Sequence, residues 1–217
     1  MADIGGTKWR RTAGKLLLAL VPLAAAVLVG GLSARTLSTP AVSTAPAASV
    51  AAPQPVAALA KRDRAYPIKG VLTLDGPLDH GDYAWSDEGV PQGEILITVD
   101  LKAQTLSVFR AGYEIGVAVI LYGADNKQSP LGTFAISQKD ADHVSNLYDA
   151  PMPYMLRLTN DGVAIHGSDV EWGKATHGCI GVPTEFAALL FAQAKLGDRV
   201  IITDGQMMQL GGAVPAA

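Results

Sequence analysis

Ala164-Ile165-His166-Gly167-Ser168 and Thr176-His177-Gly178-Cys179-Ile180 are the two stretches of sequence that decide the fold and the chemistry. The first is a short apolar run that ends in a histidine and a glycine, as a strand leading into a turn would. The second holds the only cysteine of the 217 residues, two positions after a histidine. A thiol, two imidazoles and flexible glycines so close together indicate cysteine chemistry.

Cys179 and His166 are the candidate reacting pair. They are thirteen residues apart, and a return loop of that length can bring the two side chains together. A thiol attacks a carbonyl only as a thiolate, so the pattern favours Cys179 as nucleophile and His166 as general base and acid. Asp169 and Glu171 lie in the loop between them, although a backbone carbonyl would orient the imidazole equally well. Two alternatives stay open: a zinc site of His166, His177 and Cys179, and a buried structural cysteine.

Outside this motif, the sequence predicts a domain made mostly of strands. Apolar and β-branched runs separated by turn residues indicate strands at residues 95–99, 105–110, 115–122, 133–137, 154–158, 163–166 and 200–203. Residues 71–74 are compatible with a further strand. By contrast, the polar and proline-broken residues 138–153 indicate a loop.

One helix is expected after the cysteine. It should run from Glu185 to about Leu196, with Thr184 as its cap and Gly197 as its stop. Its apolar residues recur near helical spacing, so one face should pack on the sheet. About seven strands and one good helix indicate a β-rich α+β domain.

The N-terminal part of the chain has the composition of an export and tethering segment. Basic residues precede an apolar run, and an Ala/Pro-rich stretch follows it, which favours a membrane anchor or a signal segment before a flexible spacer. The predicted organisation is a basic head at 1–15, a membrane anchor or signal segment at 16–33, a linker at 34–60, a lead-in arm at 61–92 docked by Trp85, the main domain at 93–204 and a flexible tail at 205–217.

Charge and cysteine content exclude some classes of function. The formal net charge is -3, so no nucleic-acid partner is expected. A lone cysteine cannot form an internal disulfide, and in an oxidising compartment it is either buried or kept for its reactivity. No cofactor and no bound metal are expected for the preferred Cys/His hypothesis.

The two stretches around His166 and Cys179 resemble the active-site motif of the L,D-transpeptidases, the YkuD-type catalytic domains. The resemblance extends to the Val99-Asp100-Leu101 … Gln104-Thr105-Leu106 hairpin, to Ser129-Pro130-Leu131-Gly132-Thr133-Phe134 and to the helix after Pro183. It covers roughly residues 93–204. It implies an L,D-transpeptidase-like mixed β-sandwich with one main helix after the cysteine.

The resemblance also implies a reaction on the cell wall. Cys179 would attack the stem-peptide carbonyl of the diamino acid at position three and release the terminal D-alanine, with His166 moving the protons. The acyl group would pass to a neighbouring stem peptide, giving a 3–3 cross-link, or to a wall-anchored lipoprotein. Such an enzyme would be exported to the periplasm or another extracytoplasmic space and tethered to the inner membrane through residues 16–33. The alternatives are a wall peptidase or amidase with water as acceptor, and a non-catalytic wall-binding module.

The family motif also suggests roles for residues around the pair. The oxyanion and substrate side would be formed by Thr176, His177, Gly178 and Gly167. Tyr154, Trp172 and Gly181 are further candidates for the substrate cleft. The family usually has Arg or Asn two residues after the cysteine, where this chain has Gly181, so substrate orientation should differ here. Lys127 and Lys174 could attract an anionic wall fragment, although exposed, solvated side chains are the preferred interpretation.

Overall fold

The computed structural model of the chain describes residues 66–124, 127–206 and 211–212. The predicted basic head, membrane segment and linker, residues 1–60, lie outside the described residues. Within the described ranges, no helix has both the length and the apolar character needed to cross a membrane.

The described residues form ten strands and one helix. In chain order they are β1 (Tyr83–Trp85), β2 (Ile95–Asp100), β3 (Thr105–Arg110), β4 (Tyr113–Val119), β5 (Gly132–Ala135), β6 (Gln138–Val144), β7 (Pro151–Arg157), β8 (Ala164–Ser168), β9 (Ile180–Pro183), α1 (Thr184–Gln193) and β10 (Arg199–Thr203). The strands make a six-stranded sheet of order β1-β4-β3-β2-β10-β5 and a four-stranded sheet of order β6-β7-β8-β9. The predicted β-rich, mixed two-sheet α+β fold with a helix after Cys179 is confirmed.

The first sheet is covered on both faces. β2 and β10 pair in parallel at its centre, while their other neighbours are antiparallel. The first five residues of β2 are all buried, as expected for a strand enclosed from both sides. On one face Tyr66 and Ile68 of the lead-in arm pack against Leu96, Phe109 and Ile201.

The other face of the first sheet shares one hydrophobic core with the second sheet and with α1. This core includes Val108 of β3, Ile165 of β8, Ile180 of β9 and Phe186 of α1. The Trp85 ring meets the Phe186 ring edge-on at 5.5 Å, which confirms that Trp85 docks the lead-in arm. Because the strands that carry the motif are anchored in this core, the positions of His166 and Cys179 are set by the fold.

The prediction of a loop over residues 138–153 is wrong, because β6 and the start of β7 lie there. β6 is an edge strand that pairs only with β7, so its polar residues face solvent without cost. Pro151 and Pro153 lie opposite Val144 and Asp142 of β6. β8 pairs only with the C-terminal residues of β7. The two prolines therefore have no neighbouring strand on that side, and their missing N–H groups remove no hydrogen bond to β8.

The helix is capped differently from the prediction. Its N-cap residue is Pro183 and makes no side-chain capping bond, so Thr184 does not serve as the cap. The helix ends before Gly197, with Ala194 already extended. The Lys139 ammonium donates to the Phe191 carbonyl at 2.7 Å and to the Ala194 carbonyl at 2.5 Å. A cation at the C-terminal carbonyls satisfies orphan acceptors and interacts favourably with the helix dipole, so Lys139 stabilises the C-terminus of the helix.

The lead-in arm lacks the strand expected at residues 71–74, and part of the tail is hydrogen-bonded to the arm. The arm joins β4 through β1 and, earlier in the chain, through a bridge between Gly70 and Tyr113. In the tail, the Gly211 N–H donates to the Ile68 carbonyl at 2.8 Å and the Ile68 N–H donates to Gly212 at 3.3 Å. This part of the tail predicted to be flexible is therefore paired with the arm.

Candidate active site

The parallel pairing of β8 with β9 brings the candidate base and nucleophile together. Ile165 is level with Ile180, and His166 is level with Gly181. Cys179 immediately precedes β9 and so lies on the same face of the sheet as His166, one strand over and two residues along. Strand spacing and rise place the two Cα atoms roughly 8 Å apart, which lets the side chains meet. The register thus puts the two residues on one face of the sheet, while the Cys179 thiol itself lies 3.9 Å from the Gly162 carbonyl oxygen.

Both side chains open into one cleft. Its volume is about 470 Å³, and His166 and Cys179 both line it. The β6–β7 loop forms one wall through Leu147 and Tyr148, and the turn before the cysteine forms the opposite wall. The Tyr148 ring stacks on the His177 ring at 4.6 Å, so the two walls touch at the rim. A partly exposed thiol that lines such a cleft is accessible to a ligand.

His166 is held as a neutral base. Its Nδ1 lies 2.9 Å from the Gly167 carbonyl oxygen. Because a carbonyl only accepts, Nδ1 carries the proton and the Nε2 lone pair is available. Burial lowers the pKa of His166, and the Gly167 carbonyl opposes this only in part. No carboxylate is needed to orient the ring, as the sequence had allowed.

The Cys179 thiol is protonated at rest. Burial raises its pKa above the ordinary value of 9.0, and Asp161 adds to that effect. The Ala164 backbone, Lys127 and Arg157 oppose the rise. A thiol with a pKa above 9.0 is less than about 1% ionised at pH 7. The geometry therefore supports proton removal by a base during attack, because a preformed thiolate is scarce.

The turn that presents the thiol is fixed by hydroxyl groups. Gly178 has φ +98°, a conformation that glycine adopts without strain. The Thr176 hydroxyl donates to the Cys179 carbonyl at 2.5 Å. Ser129, which is buried, accepts from the Gly123 N–H at 2.9 Å and donates to the Gly178 carbonyl at 3.0 Å. Thr176 thus supports the turn that presents the thiol, and Ser129 ties the turn to the loop after β4.

Ser129→Ala is expected to lower the free energy of unfolding by about 1–3 kcal/mol, because it leaves a buried N–H and a buried carbonyl without their shared partner. Urea denaturation followed by circular dichroism measures the change. Ser137→Ala is the matched control, since the Ser137 hydroxyl makes its bond at the surface and its loss should cost under about 0.5 kcal/mol. Equal losses for the two variants would contradict the role given to Ser129.

A protein-family comparison identifies the domain that carries this site. The profile of the YkuD family, described as the L,D-transpeptidase catalytic domain, matches residues 94–202, half of the chain. The chain belongs to the L,D-transpeptidase catalytic domain family. The matched segment contains β2 through most of β10, and with them both His166 and Cys179. Comparison with curated protein sequences gave no match.

Solved structures similar to the chain are also L,D-transpeptidases. L,D-transpeptidase 1 from Mycobacterium tuberculosis is 22% identical, with 51% of this chain and 62% of that chain covered and a TM-score of 0.46. The enzyme from Stackebrandtia nassauensis is 23% identical, with 55% and 62% covered and a TM-score of 0.47. An L,D-transpeptidase from Mycobacterium smegmatis is 22% identical, with 59% and 70% covered and a TM-score of 0.48. The chain spans 62% of the length of the first two structures, and the family assignment depends on the profile match.

Two glycines expected on the substrate side of this L,D-transpeptidase domain are packing positions instead. A Cβ on Gly167 would lie 3.1 Å from Pro153 and from the Thr184 hydroxyl, beneath the cleft. Gly181 exchanges backbone bonds with Leu121 at 2.8 and 2.9 Å, and a Cβ there would meet Ser168 at 3.0 Å. The usual Arg or Asn after the cysteine therefore has no room at Gly181 unless Ser168 moves.

Tyr154 and Trp172 also lie outside the cleft. Tyr154 packs edge-on against Phe191 of α1 at 5.9 Å and joins the hydrophobic core. Its φ of +58° interrupts the alternation of β7, which turns the side chain away from the face that Met152 and Met155 present. Trp172 is 83% exposed and meets His80 edge-on in a separate shallow pocket. Neither side chain lines the cleft that holds His166 and Cys179.

The zinc hypothesis is not supported. Within the part of the chain that the structure describes, no three His, Cys, Asp or Glu side chains are grouped so that they could hold a metal ion. His177 instead stacks on Tyr148 at the rim. His177 also lines the cleft that holds the thiol.

Several residues of the cleft escaped the sequence reasoning. Lys127 and Arg157 line the cleft, although Lys127 was expected to be solvated. His143 lines it too, 3.2 Å from the Asp140 carboxylate. The Ser129-Pro130 pair in the family-like segment was the one signal that could have indicated a contact with the cysteine turn. No local pattern identifies the other residues, because tertiary pairing brings them to the cleft.

Proposed function

We propose that the chain is a peptidoglycan L,D-transpeptidase that uses Cys179 as its nucleophile. The observation that carries the proposal is the register of β8 and β9, which puts a neutral histidine and a protonated thiol on one face of a cleft. Membership of the L,D-transpeptidase family supports a peptidoglycan stem peptide as the substrate class, and the proposed substrate is a stem peptide that ends in D-alanine.

The first half of the reaction is acylation. Nε2 of His166 takes the thiol proton as the Cys179 sulfur attacks the carbonyl carbon of the position-three diamino acid. The C–N bond to the terminal D-alanine then breaks, and the imidazolium gives its proton to the leaving amine. A thioester and free D-alanine are the products. The Gly167 carbonyl bound to Nδ1 stabilises the imidazolium that forms between these steps.

The tetrahedral intermediate needs donors for its oxyanion. The N–H groups of Gly178 and Cys179 donate to no other residue among those described. Both belong to the turn held by Thr176 and Ser129. Preorganised backbone donors of this kind typically contribute about 10²–10³-fold to the rate. His177, at the rim, contacts the substrate outside the reacting atoms.

The second half of the reaction passes the acyl group to an acceptor amine. The amine attacks the thioester, His166 accepts a proton from it, and the C–S bond breaks with return of that proton to the thiol. A neighbouring stem peptide as acceptor gives a 3–3 cross-link, and a wall-anchored lipoprotein gives an attachment. Water as acceptor would make the same site a peptidase.

The proposed location is outside the cytoplasmic membrane, where the wall is assembled. Family membership supports an extracytoplasmic site of action. The apolar segment at residues 16–33, with its basic flank, is the proposed means of export and tethering. A lone reactive thiol suits an oxidising space, because the chain has no second cysteine with which to form an internal disulfide.

Incubation of the full chain with a disaccharide tetrapeptide tests the proposal. Intact-mass spectrometry should detect a covalent adduct with the mass of the substrate minus D-alanine. Digestion of the protein should then locate the adduct on the peptide that contains Cys179. Chromatography of the products should show cross-linked dimers. Hydrolysed tripeptide without dimers would assign the site to a peptidase, and the absence of both adduct and D-alanine release would refute the enzyme.

A further inference from the structure

Two cations line the cleft beside the thiol, and they come from different elements. Lys127 belongs to the loop after β4, and Arg157 ends β7. Both act electrostatically on the Cys179 sulfur in the same direction. The proposed reaction assigns neither of them a role.

Lys127 is held against the cysteine turn. Its backbone N–H donates to the Ala124 carbonyl at 2.9 Å. Its Cγ and Cε each lie 3.5 Å from the point where a Cβ on Gly178 would stand. Its ammonium makes no hydrogen bond or ion pair with any residue in the described ranges. The stem is thus packed on the turn while the charged end is available to a ligand.

The Arg157 guanidinium is held by a hydrogen bond from its Nε, away from its two terminal nitrogens. Its Nε donates to the Gln138 side chain at 2.9 Å, which fixes the plane of the guanidinium. Its Nη1 lies 3.9 Å from the Cβ position of Gly162, on the cleft side. Neither terminal nitrogen donates to a described residue. A guanidinium held this way presents a fork of donors that matches a carboxylate.

The surroundings leave the two cations incompletely neutralised. Asp161 is the carboxylate of the cleft lining, and the Thr159 hydroxyl already donates to it at 2.5 Å. Asp140, nearby, pairs with His143. Among the described residues that line the cleft, two permanent cations therefore face one carboxylate, which favours an anionic group on the ligand.

We propose that Lys127 and Arg157 form a carboxylate subsite that binds the terminal carboxylate of the D-alanine leaving group. The inference rests on the proposed function, because that reaction supplies a carboxylate three bonds from the attacked carbonyl carbon. Binding it would set the scissile bond over Cys179 and distinguish a free C-terminus from an amidated or extended one.

Alkylation of Cys179 tests the subsite without any turnover. Iodoacetate carries its carboxylate next to the reacting carbon, whereas iodoacetamide has the same shape without the charge. The ratio of the two rates in the full chain reports the local affinity for a carboxylate, and changes in thiol ionisation cancel from it. Lys127→Gln and Arg157→Gln should each lower this ratio about three- to tenfold, as expected for loss of one partly screened charge at close range.

Lys174→Gln is the matched control. Lys174 pairs with Glu171 at 3.0 Å and lines the other, shallower pocket, so its loss should change the ratio less than about twofold. A ratio unchanged in Lys127→Gln, in Arg157→Gln and in the double variant would overturn the subsite. The iodoacetamide rate alone reports whether each variant keeps its fold around Cys179.

A substrate comparison assigns the ligand. Wild-type protein should show a KM at least about fivefold higher for a tetrapeptide amide than for the free acid, and Lys127→Gln should remove that difference. Equal KM values for the two peptides in the wild type would overturn the assignment to the leaving group. If no peptide acylates the protein but the alkylation ratio falls as expected, the transpeptidase proposal fails while the anion site stands.

Discussion

Cys179→Ala is expected to abolish the acyl-enzyme and to lower D-alanine release from a tetrapeptide by at least about a thousandfold. The thioester cannot form without sulfur, and losses on that scale or larger follow removal of a covalent nucleophile. Liquid chromatography with mass detection of D-alanine and of the intact protein measures both. The fold should survive, because Cys179 only borders the small cluster of Met152, Met155 and Ala164.

Cys179→Ser is the control variant that keeps the size of the side chain at this position. It keeps a side chain of similar size and a proton for His166 to remove, yet its oxygen is a far weaker nucleophile without further activation. Both variants should melt within a few degrees of the wild type. Retention of more than a tenth of the wild-type D-alanine release by Cys179→Ala would assign the chemistry to another residue.

His166→Gln should lower the acylation rate at pH 7 by about 10²–10³-fold, within the range for loss of a general base. The deficit should shrink as the pH rises. The pKa of Cys179 is raised above 9.0, so below it the thiolate fraction grows about tenfold for each pH unit. The variant depends on that fraction, and its rate should climb with unit slope up to pH 9.

The wild type should behave differently over the same range. Burial lowers the pKa of His166 below 6.5, so most of the imidazole is in its base form at pH 7 and the acylation rate should change little above that pH. Single-turnover rates between pH 6 and pH 9 separate the two profiles. A wild-type rate that climbs in parallel with that of His166→Gln would show that the imidazole does not take the proton.

The reacting pair could be predicted because both the spacing of the two residues and the residue types around them can be read from the sequence. A strand ending in His166, a loop, and a glycine turn at Cys179 leave few ways to return the chain to the same sheet. The short strand β9 was missed, since its four residues also read as the approach to a helix. Its existence depends on pairing with β8 and on the Leu121–Gly181 bonds, which no local pattern encodes.

The surroundings of the pair were harder to predict because they depend on distant contacts. Ser129 meets Gly178 across 49 residues of sequence. Lys127 is polar and lies in a loop, so composition alone indicates a solvated side chain, and only packing on the cysteine turn makes it part of the cleft. The position of Tyr154 differs from the expected one for a local reason. Its own positive φ changes which face of the strand the following side chains occupy.

The parallel pairing of β8 and β9 has a consequence for how such a domain can diversify. Parallel neighbours cannot be joined by a tight turn, so a connecting loop is obligatory here, while its length is free. Doubling a flexible loop costs only about 0.6 kcal/mol in closure entropy. Insertions between Ser168 and Thr176 can therefore add new surface next to the cysteine turn while the ladder keeps sulfur and imidazole in place. Substrate preference and bond-breaking chemistry can evolve as separate traits on this scaffold.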